Sequence, residues 1–482
     1  MNISRTLQLN KNTVTESHNT CVIYVMSRDQ RVQDNFALLE AQKKAQQLQV
    51  PLGVVFCLHH GKNGRAREHY AWMLEGLKQV EKDLAAKGIP FMLLVGKPAD
   101  SLKGVLHHLK PDAIYFDMNT LRGPVRLQVV IAEIAKCPMY VVDTHNIVPV
   151  WEMSTKQEFA ARTIRPKIQK QLAHYIEEPQ DIVKQKKAWP GTVKTIADMQ
   201  SLIDKELRKI PSNAQKLSFI SGEAAAQKAL HSFIDNGLKG YDEGRNDPSH
   251  DLQSNLSPYL HFGQLSRLRA YLEVSFAVQK DRTLRKDADA FLEELNIRSS
   301  LSDNFCYYST HYDSLEGAAD WAKKTLSAHA RDKREQTYTL KQLERGATED
   351  QAWNAAQHQL TQTGKMHGYM RMYWAKKLLE WSPARARSDS SLDTTSCLGS
   401  HAKELSKLQG AAWAIKVAIT LNDFYSIDGG DPNGYVGVLW SIAGLHDRAW
   451  FSRPIFGSIR YMNYSGLQRK FDIASYIERF DG

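Results

Sequence analysis

With 482 residues, 42% apolar and 24% charged, the chain is longer than one growing core supports and ordinary in composition, so two domains and a linker are expected. No run of eighteen apolar residues could span a bilayer, and five scattered cysteines (Cys21, Cys57, Cys137, Cys306 and Cys397) form no CxxC pair and no zinc-like group, which points to a reducing, intracellular setting and no metal. The excess of 63 Lys and Arg over 53 Asp and Glu, a net charge of +10, permits a polyanionic partner without identifying one.

Residues 1–19 are polar, lack the apolar stretch of a secretory signal and read as a flexible tail. From there β-branched runs at 21–26, 52–58, 91–95, 113–118 and 139–143 alternate with amphipathic segments at 33–48, 66–87, 99–109 and 123–135. Buried parallel strands joined by crossover helices follow, a Rossmann-like open α/β sheet over 20–148. The rule that such sheets bind ligands at the carboxyl ends of their strands predicts a crevice near Met26–Arg31, 57–60 and Asp117–Leu121, although no GxGxxG or P-loop marks a phosphate site. Residues 149–221, punctuated by Pro149, Pro166, Pro179, Pro190 and Pro211, read as a wrapping interdomain linker with some helix.

Helical periodicity dominates 222–482, with segments near 222–236, 263–278, 286–301, 315–329, 349–360, 366–381 and 410–423, so the second domain is expected to be all-α. A serine-rich polar insertion at about 384–410 has no apolar period until its end and reads as a surface loop. In HGYMRMYWAKKLLEW (367–381), Met370, Trp374, Leu378 and Trp381 form one helical stripe. Its two tryptophans stand roughly 10 Å apart along the axis, a distance an electron can hop; core packing is the competing reading. Ser254, Asn255 and Ser257, just ahead of Pro258, can offer hydroxyls, an amide and backbone N–H groups to a pyrophosphate at a helix start. In IDGGDPNGY (427–435) the glycines and Pro432 read as a turn that holds small polar side chains against a ligand.

Read together, GYDEGRNDPSHDLQSNLSPYLHFGQLS (240–266), FLEELNIRSSLSDNFCYY (291–308), the Trp374 helix and residues 421–472 resemble a class II cyclobutane pyrimidine dimer photolyase, as do MSRDQRVQDNFALLEAQ (26–42) and HNIVPVWEMSTKQEFAARTIRPKI (145–168). The resemblance spans Cys21 to Asp472. It implies an enzyme, a carbon–carbon lyase that uses blue light to repair pyrimidine dimers in double-stranded DNA, with the helical domain binding FAD in its reduced form. A deazaflavin or folate antenna would sit in the N-terminal crevice. A monomer without membrane attachment is expected, cytoplasmic or at the nucleoid in a prokaryote, nuclear or organellar in a eukaryote.

By the same resemblance Tyr241, Gln253, Ser254, Asn255, Leu256 and Ser257 form the flavin shell. Arg298 faces the phosphates, Arg371 pairs with Asp428, and Asp428, Asp431 and Asn433 lie near the reactive ring nitrogen. Glu294 hydrogen-bonds the dimer, Met372 and Trp450 line its pocket, and Arg448, Arg460, Arg469 and Lys470 contact DNA phosphates. Trp374, Trp353 and Trp381 would carry electrons to the oxidised flavin in that order, Trp381 ending toward the surface. The chain departs from the usual pattern at Asn296, at Ser299 and Ser300, and at Gly430, where an arginine is usual. The rival reading is a cryptochrome-like flavin photoreceptor without repair, which would have no need of a dimer pocket.

Overall fold

The computed structural model describes residues 5–13, 20–59, 64–386 and 396–481. The expectations for 1–4, 14–19, residue 60 and 387–395 of the insertion lie outside the described residues.

Five parallel strands, β2 (Val22–Met26), β3 (Leu52–Leu58), β4 (Phe91–Val95), β5 (Ala113–Asp117) and β6 (Met139–Val142), fall within one residue of their expected ends. The sixth, β1 (Thr6–Gln8), pairs antiparallel with β6, giving the order β1-β6-β5-β2-β3-β4. Side chains of β2 alternate between two cores: Val22, Tyr24 and Met26 pack under helices Phe36–Leu48 and Arg67–Ala86, whereas Ile23 and Val25 pack with Leu102 and Ile131 of helices Pro98–Leu109 and Arg122–Ile134. Burial on both faces is why these strands read as unbroken apolar runs.

The flexible tail expected for 1–19 is corrected over Arg5–Gln8. Arg5 is buried between Phe36 and Tyr175 and donates to the carbonyls of Ile147 (2.6 Å), Asn146 (3.0 Å) and Asp143 (3.1 Å), which anchors the edge strand. No local pattern announces a strand whose stability comes from groups some 140 residues away.

The crevice expected at the strand ends is also corrected. Asp117 accepts from the backbone N–H groups of Ser27, Arg28 and Asp29 (2.7–3.1 Å) and from the Tyr24 hydroxyl (2.6 Å), closing the gap between β2 and β5. Arg28 then reaches across to Asp303 at 2.9 Å, and Arg267 holds the other oxygen of Asp303 at 3.2 Å. Gly263 lies so close to the Arg28 carbonyl that a Cβ there would stand 2.3 Å from it, at a φ of +64° that a side chain rarely adopts. Residues Met26–Arg31 therefore pack against helical segments of the second half, Ser27 alone staying exposed.

The sheet's core runs on without a break into Leu256, Phe291 and Leu295, while a second core gathers Trp353, Trp374, Leu378 and Val438. Residues 149–221 lie along the sheet: Gln185 accepts from Leu52 N (2.6 Å), and Trp189 covers Gly53. Three expectations for the helical half change. The segment 286–301 is a helix (Arg285–Leu292), a π-helical turn (Glu293–Arg298) and a further helix (Ser299–Tyr308). The turn expected over 427–435 is present at Ile427 and Asp428 but gives way to helix Pro432–Ala443, with Asp431 as its N-cap. In the insertion, Cys397–Ser400 and Ala402–Leu405 are helical; Glu344 accepts from Cys397 N and Leu398 N, and Leu398 and Leu405 are buried. Among the described residues no helix is long and apolar enough to cross a membrane.

Candidate functional site

Four chain segments that the sequence marks separately meet around a cavity of ≈ 330 Å³. Its wall comprises Tyr241, Gln253, Ser254 and Ser257; Glu294 and Arg298 from the π-helical turn; Arg371 from helix Gly368–Glu380; and Asp428, Asp431 and Asn433. A π-turn inserts one residue into the helical ladder and rotates the side chains that follow, a device found mostly at functional sites. Here it brings both Glu294 and Arg298 to the cavity, while Glu293 pairs with Arg165 (2.7 Å) and Arg298 (3.2 Å).

The cavity has a cationic side built of Arg298, Lys365, Arg371 and Arg267. Lys365 donates to the Asn255 side chain, which is held in the left-handed region at φ +56°. Burial pushes the Lys365 ammonium down to about 8, and neighbouring Arg371 adds to that, against Asp428 and Asp251. Arg371 stands 4.0 Å from Asp428, and its buried Nε has no hydrogen-bond partner. Burial works against the charge of Asp428, but Arg371 and the hydroxyls of Ser426 and Ser257 outweigh it and hold this carboxyl below its ordinary value. Arg298 and Arg267 are paired with Glu293 and Asp303, so Lys365 and Arg371 are the under-compensated cations of this lining, as an anion site requires before its ligand arrives.

Also in the lining, Asp431 accepts from the backbone N–H and the side-chain amide of Asn433, both at 2.9 Å, and pairs with His261 at 2.9 Å. Glu294 is engaged by Arg245 at 2.7 Å, and Tyr241 packs edge-on against Phe291. Arg245, His261, Arg267, Phe291, Lys365 and Met366 escape sequence reasoning. Lys365 sits two residues before the N-cap His367, and His261 within the LHFGQ run, but neither spacing indicates a shared wall.

Two shell residues are placed differently from expectation. Leu256 is fully buried in the core and Asn255 serves Lys365, so neither lines the cavity. Met372 and Trp450 are also absent from its lining. Trp450 lies 38% exposed beside Phe451, which is 89% exposed, with the Arg460 guanidinium 4.3 Å over its ring and Arg448 at 5.7 Å. Arg460 is anchored by Asp447 at 3.0 Å; Arg448, Arg469 and Lys470 are exposed, and Lys470 donates to the Tyr369 hydroxyl.

One helical turn beyond Arg371, Trp374 begins a column of rings. Trp353 lies parallel to it, within 9° and 6.3 Å between centroids, and Trp381 meets Trp353 edge-on at 5.2 Å. Trp353 therefore stands between the other two. Trp353 Nε1 donates to the Trp374 carbonyl (3.0 Å) and Trp374 Nε1 to Gln357 (2.9 Å), fixing both planes. All three are buried; Trp381, expected toward the surface, is only 3% exposed because Pro383 and the insertion residues Ala402, Leu405 and Leu408 surround it.

This architecture, a doubly wound sheet with a cavity-bearing helical half, is that of the photolyase structures. The archaeal photolyase from Sulfolobus tokodaii, whose structure holds two FAD molecules, superposes with a TM-score of 0.64 at 18% identity, covering 95% of this chain and 89% of that one. A DNA photolyase family model matches residues 22–185. The sequence is 42% identical over 465 residues to the deoxyribodipyrimidine photo-lyase of Arabidopsis thaliana (95% of this chain, 88% of the relative), and 43% identical over 459 residues to that of Potorous tridactylus (94% and 80%). The chain belongs to the photolyase/cryptochrome family and, within it, to the deoxyribodipyrimidine photo-lyases, lyases of DNA repair.

Proposed function

We propose that this enzyme splits cyclobutane pyrimidine dimers in duplex DNA by light-driven electron transfer from a reduced FAD held in the cavity. The observation that carries the reading is the pairing of an under-compensated cationic wall with a carboxylate and amide wall, one helical turn from three contacting tryptophans. The donor set fits the cofactor: Arg298 and Lys365 suit a pyrophosphate, Gln253, Ser254 and Ser257 add neutral donors, and the buried Nε of Arg371 has no acceptor within the described residues. Bound there, the flavin would supply light absorption and the transferable electron.

The remaining chemistry belongs to the chain. Arg371 and Asp428 orient the ring system, Asp431 and Asn433 tune it, and Tyr241 packs its edge. Glu294, with one oxygen on Arg245, keeps the other for the bases of a flipped lesion. Trp381, Trp353 and Trp374 relay electrons inward when the cofactor has become oxidised. Met372 and Trp450 meet the lesion from outside the cavity, and Arg448, Arg460, Arg469 and Lys470 neutralise phosphates of the duplex. The enzyme acts as a monomer in whichever compartment holds the DNA. An antenna deazaflavin or folate would seat away from the β2–β5 junction, which Arg28 and its partners fill.

The test is repair of a thymine-dimer oligonucleotide under blue light, with a dark control. Repair in the light alone supports the reading. Photochemistry of a bound flavin without repair would favour the photoreceptor alternative instead.

A further inference from the structure

A hydrogen-bonded chain enters the cavity wall from the α/β half. Arg65, which directly precedes helix Arg67–Ala86 and its capping residue Ala66, reaches His261 with Nη2 at 2.8 Å from Nε2. His261 Nδ1 is 2.9 Å from Asp431 Oδ2, and Asp431 Oδ1 receives both the N–H and the side-chain amide of Asn433. Each protonation state along this path is dictated by its neighbour. A guanidinium only donates, so His261 Nε2 must accept; the imidazole is then neutral, its one proton sits on Nδ1, and that proton is given to Asp431. Burial and the adjacent guanidinium also push His261 below the ordinary imidazole value, which favours the same neutral form.

An ionised Asp431 only accepts, so the atom of Asn433 that faces it must be Nδ2, leaving Oδ1 for the cavity that Asn433 lines. Room for Arg65 is provided by Gly430: at φ +71°, a Cβ there would stand 3.2 Å from Nε and Nη2 of Arg65. A side chain at 430 would crowd the guanidinium and require it to shift by a few tenths of an ångström.

We infer that Arg65 is a positioning residue of the α/β half that, through His261 and Asp431, locks the Asn433 amide with its oxygen presented to the cavity, and so biases a bound flavin toward its reduced form. The second clause rests on the flavin reading above. Reduced flavin carries an extra ring N–H, which a fixed acceptor accommodates, whereas the oxidised ring offers a lone pair that it does not.

The experiment uses the full chain as purified, with Arg65→Met, Arg65→Gln and Arg65→Lys. In protein with 15N-labelled histidine, the wild type should show one protonated and one bare ring nitrogen for His261. Ionised Asp431 keeps the proton on Nδ1 in every variant, so Arg65→Met should shift the bare nitrogen toward the imidazolium form, Arg65→Gln, whose amide can still donate, should do so less, and Arg65→Lys should restore the wild-type pattern. At a fixed redox poise, the ratio of reduced to oxidised flavin should fall about five-fold in Arg65→Met, the worth of one hydrogen bond. The same substitution should change nothing further in an Asn433→Ala background, because the two act through one path. Additive losses, or unchanged His261 nitrogens in both guanidinium-lacking variants, would overturn the relay. Wild-type protein without flavin would overturn the flavin reading instead, and is told apart because the nitrogen shifts are read with or without cofactor.

Discussion

Two places among the described residues where buried charge gathers, the strand ends of the sheet and the cavity of the helical half, treat it in opposite ways. At the strand ends the guanidinium groups lie within 3.2 Å of carboxylates inside the chain: Arg28 and Arg267, the latter also bordering the cavity, share Asp303, and Arg31 holds Asp29 at 2.7 Å. In the cavity two cations are held back from close pairing, Arg371 standing 4.0 Å from its carboxylate and Lys365 donating to a neutral amide. Completed pairing makes a joint; withheld pairing makes a binding site. Strand ends of an open sheet are where a ligand is expected, and here that ground has been given over to docking one half of the chain on the other.

The largest effect should come from breaking the joint. Asp303→Ala strands two buried guanidinium groups and should lower unfolding stability by about 3–5 kcal/mol in denaturant titrations, since removing one partner leaves uncompensated charge. Wild-type stability in that variant would mean the strand-end charges are already solvated. Next, Lys365→Met should weaken flavin binding by roughly tenfold or more, the loss of a charge-assisted contact of about 1.5–3 kcal/mol, while leaving the flavin-free protein as stable as before or more so.

The pH dependence carries the same opposition. The folded-state value of Lys365, about 8, lies below the ordinary 10.5, so between these limits the unfolded chain binds the extra proton. Stability of the flavin-free protein should rise with pH across that window, whereas flavin affinity should fall above about pH 8 by up to tenfold per unit. Titration of flavin binding from pH 7 to 10 checks this, and Lys365→Met should flatten the profile.

Smaller effects on stability are expected away from the buried ion pairs of the joint. Glu294→Ala should reduce light-driven repair yield while flavin content stays near wild type; equal repair would remove its role. Trp374→Phe and Trp353→Phe each remove a buried indole N–H and should lower stability by about 1–3 kcal/mol, because the Gln357 oxygen or the Trp374 carbonyl loses its donor, yet abolish photoreduction of oxidised flavin, and chemically reduced protein should still repair. Because Trp381 is buried against Trp353 at 5.2 Å, Trp381→Phe should also slow photoreduction, less severely, with Tyr338 edge-on at 4.8 Å as a nearby aromatic.

Much of this arrangement is legible in the sequence where local pattern and final environment coincide. Strand β3 occupies its expected 52–58 because both of its faces are buried and LGVVFCL is apolar throughout. Ten of the residues assigned by resemblance line one cavity, from Tyr241 to Asn433, although the chain brings them from far apart. The failures share a physical cause. β1 and Arg5 depend on partners far along the chain, the π-turn at Glu293–Arg298 has no sequence period, and Arg65 and His261 meet across 196 residues. The helix after Asp431 was legible in principle, since an N-cap aspartate followed by proline is a start signal; the glycines before it favour the turn reading. The crevice rule fails for a different reason, because which half of a protein covers a strand end is a tertiary matter.

The contrast between completed and withheld pairing is tested most directly by flavin content of the purified chain and two variants. Wild type should carry close to one flavin per chain. Arg371→Met should lose most of it and unfold at the midpoint of flavin-free wild type, and Asp303→Asn should retain it while unfolding earlier than flavin-loaded wild type. Full flavin occupancy in Arg371→Met, or its selective loss in Asp303→Asn, would contradict the assignment of the cavity as the cofactor site.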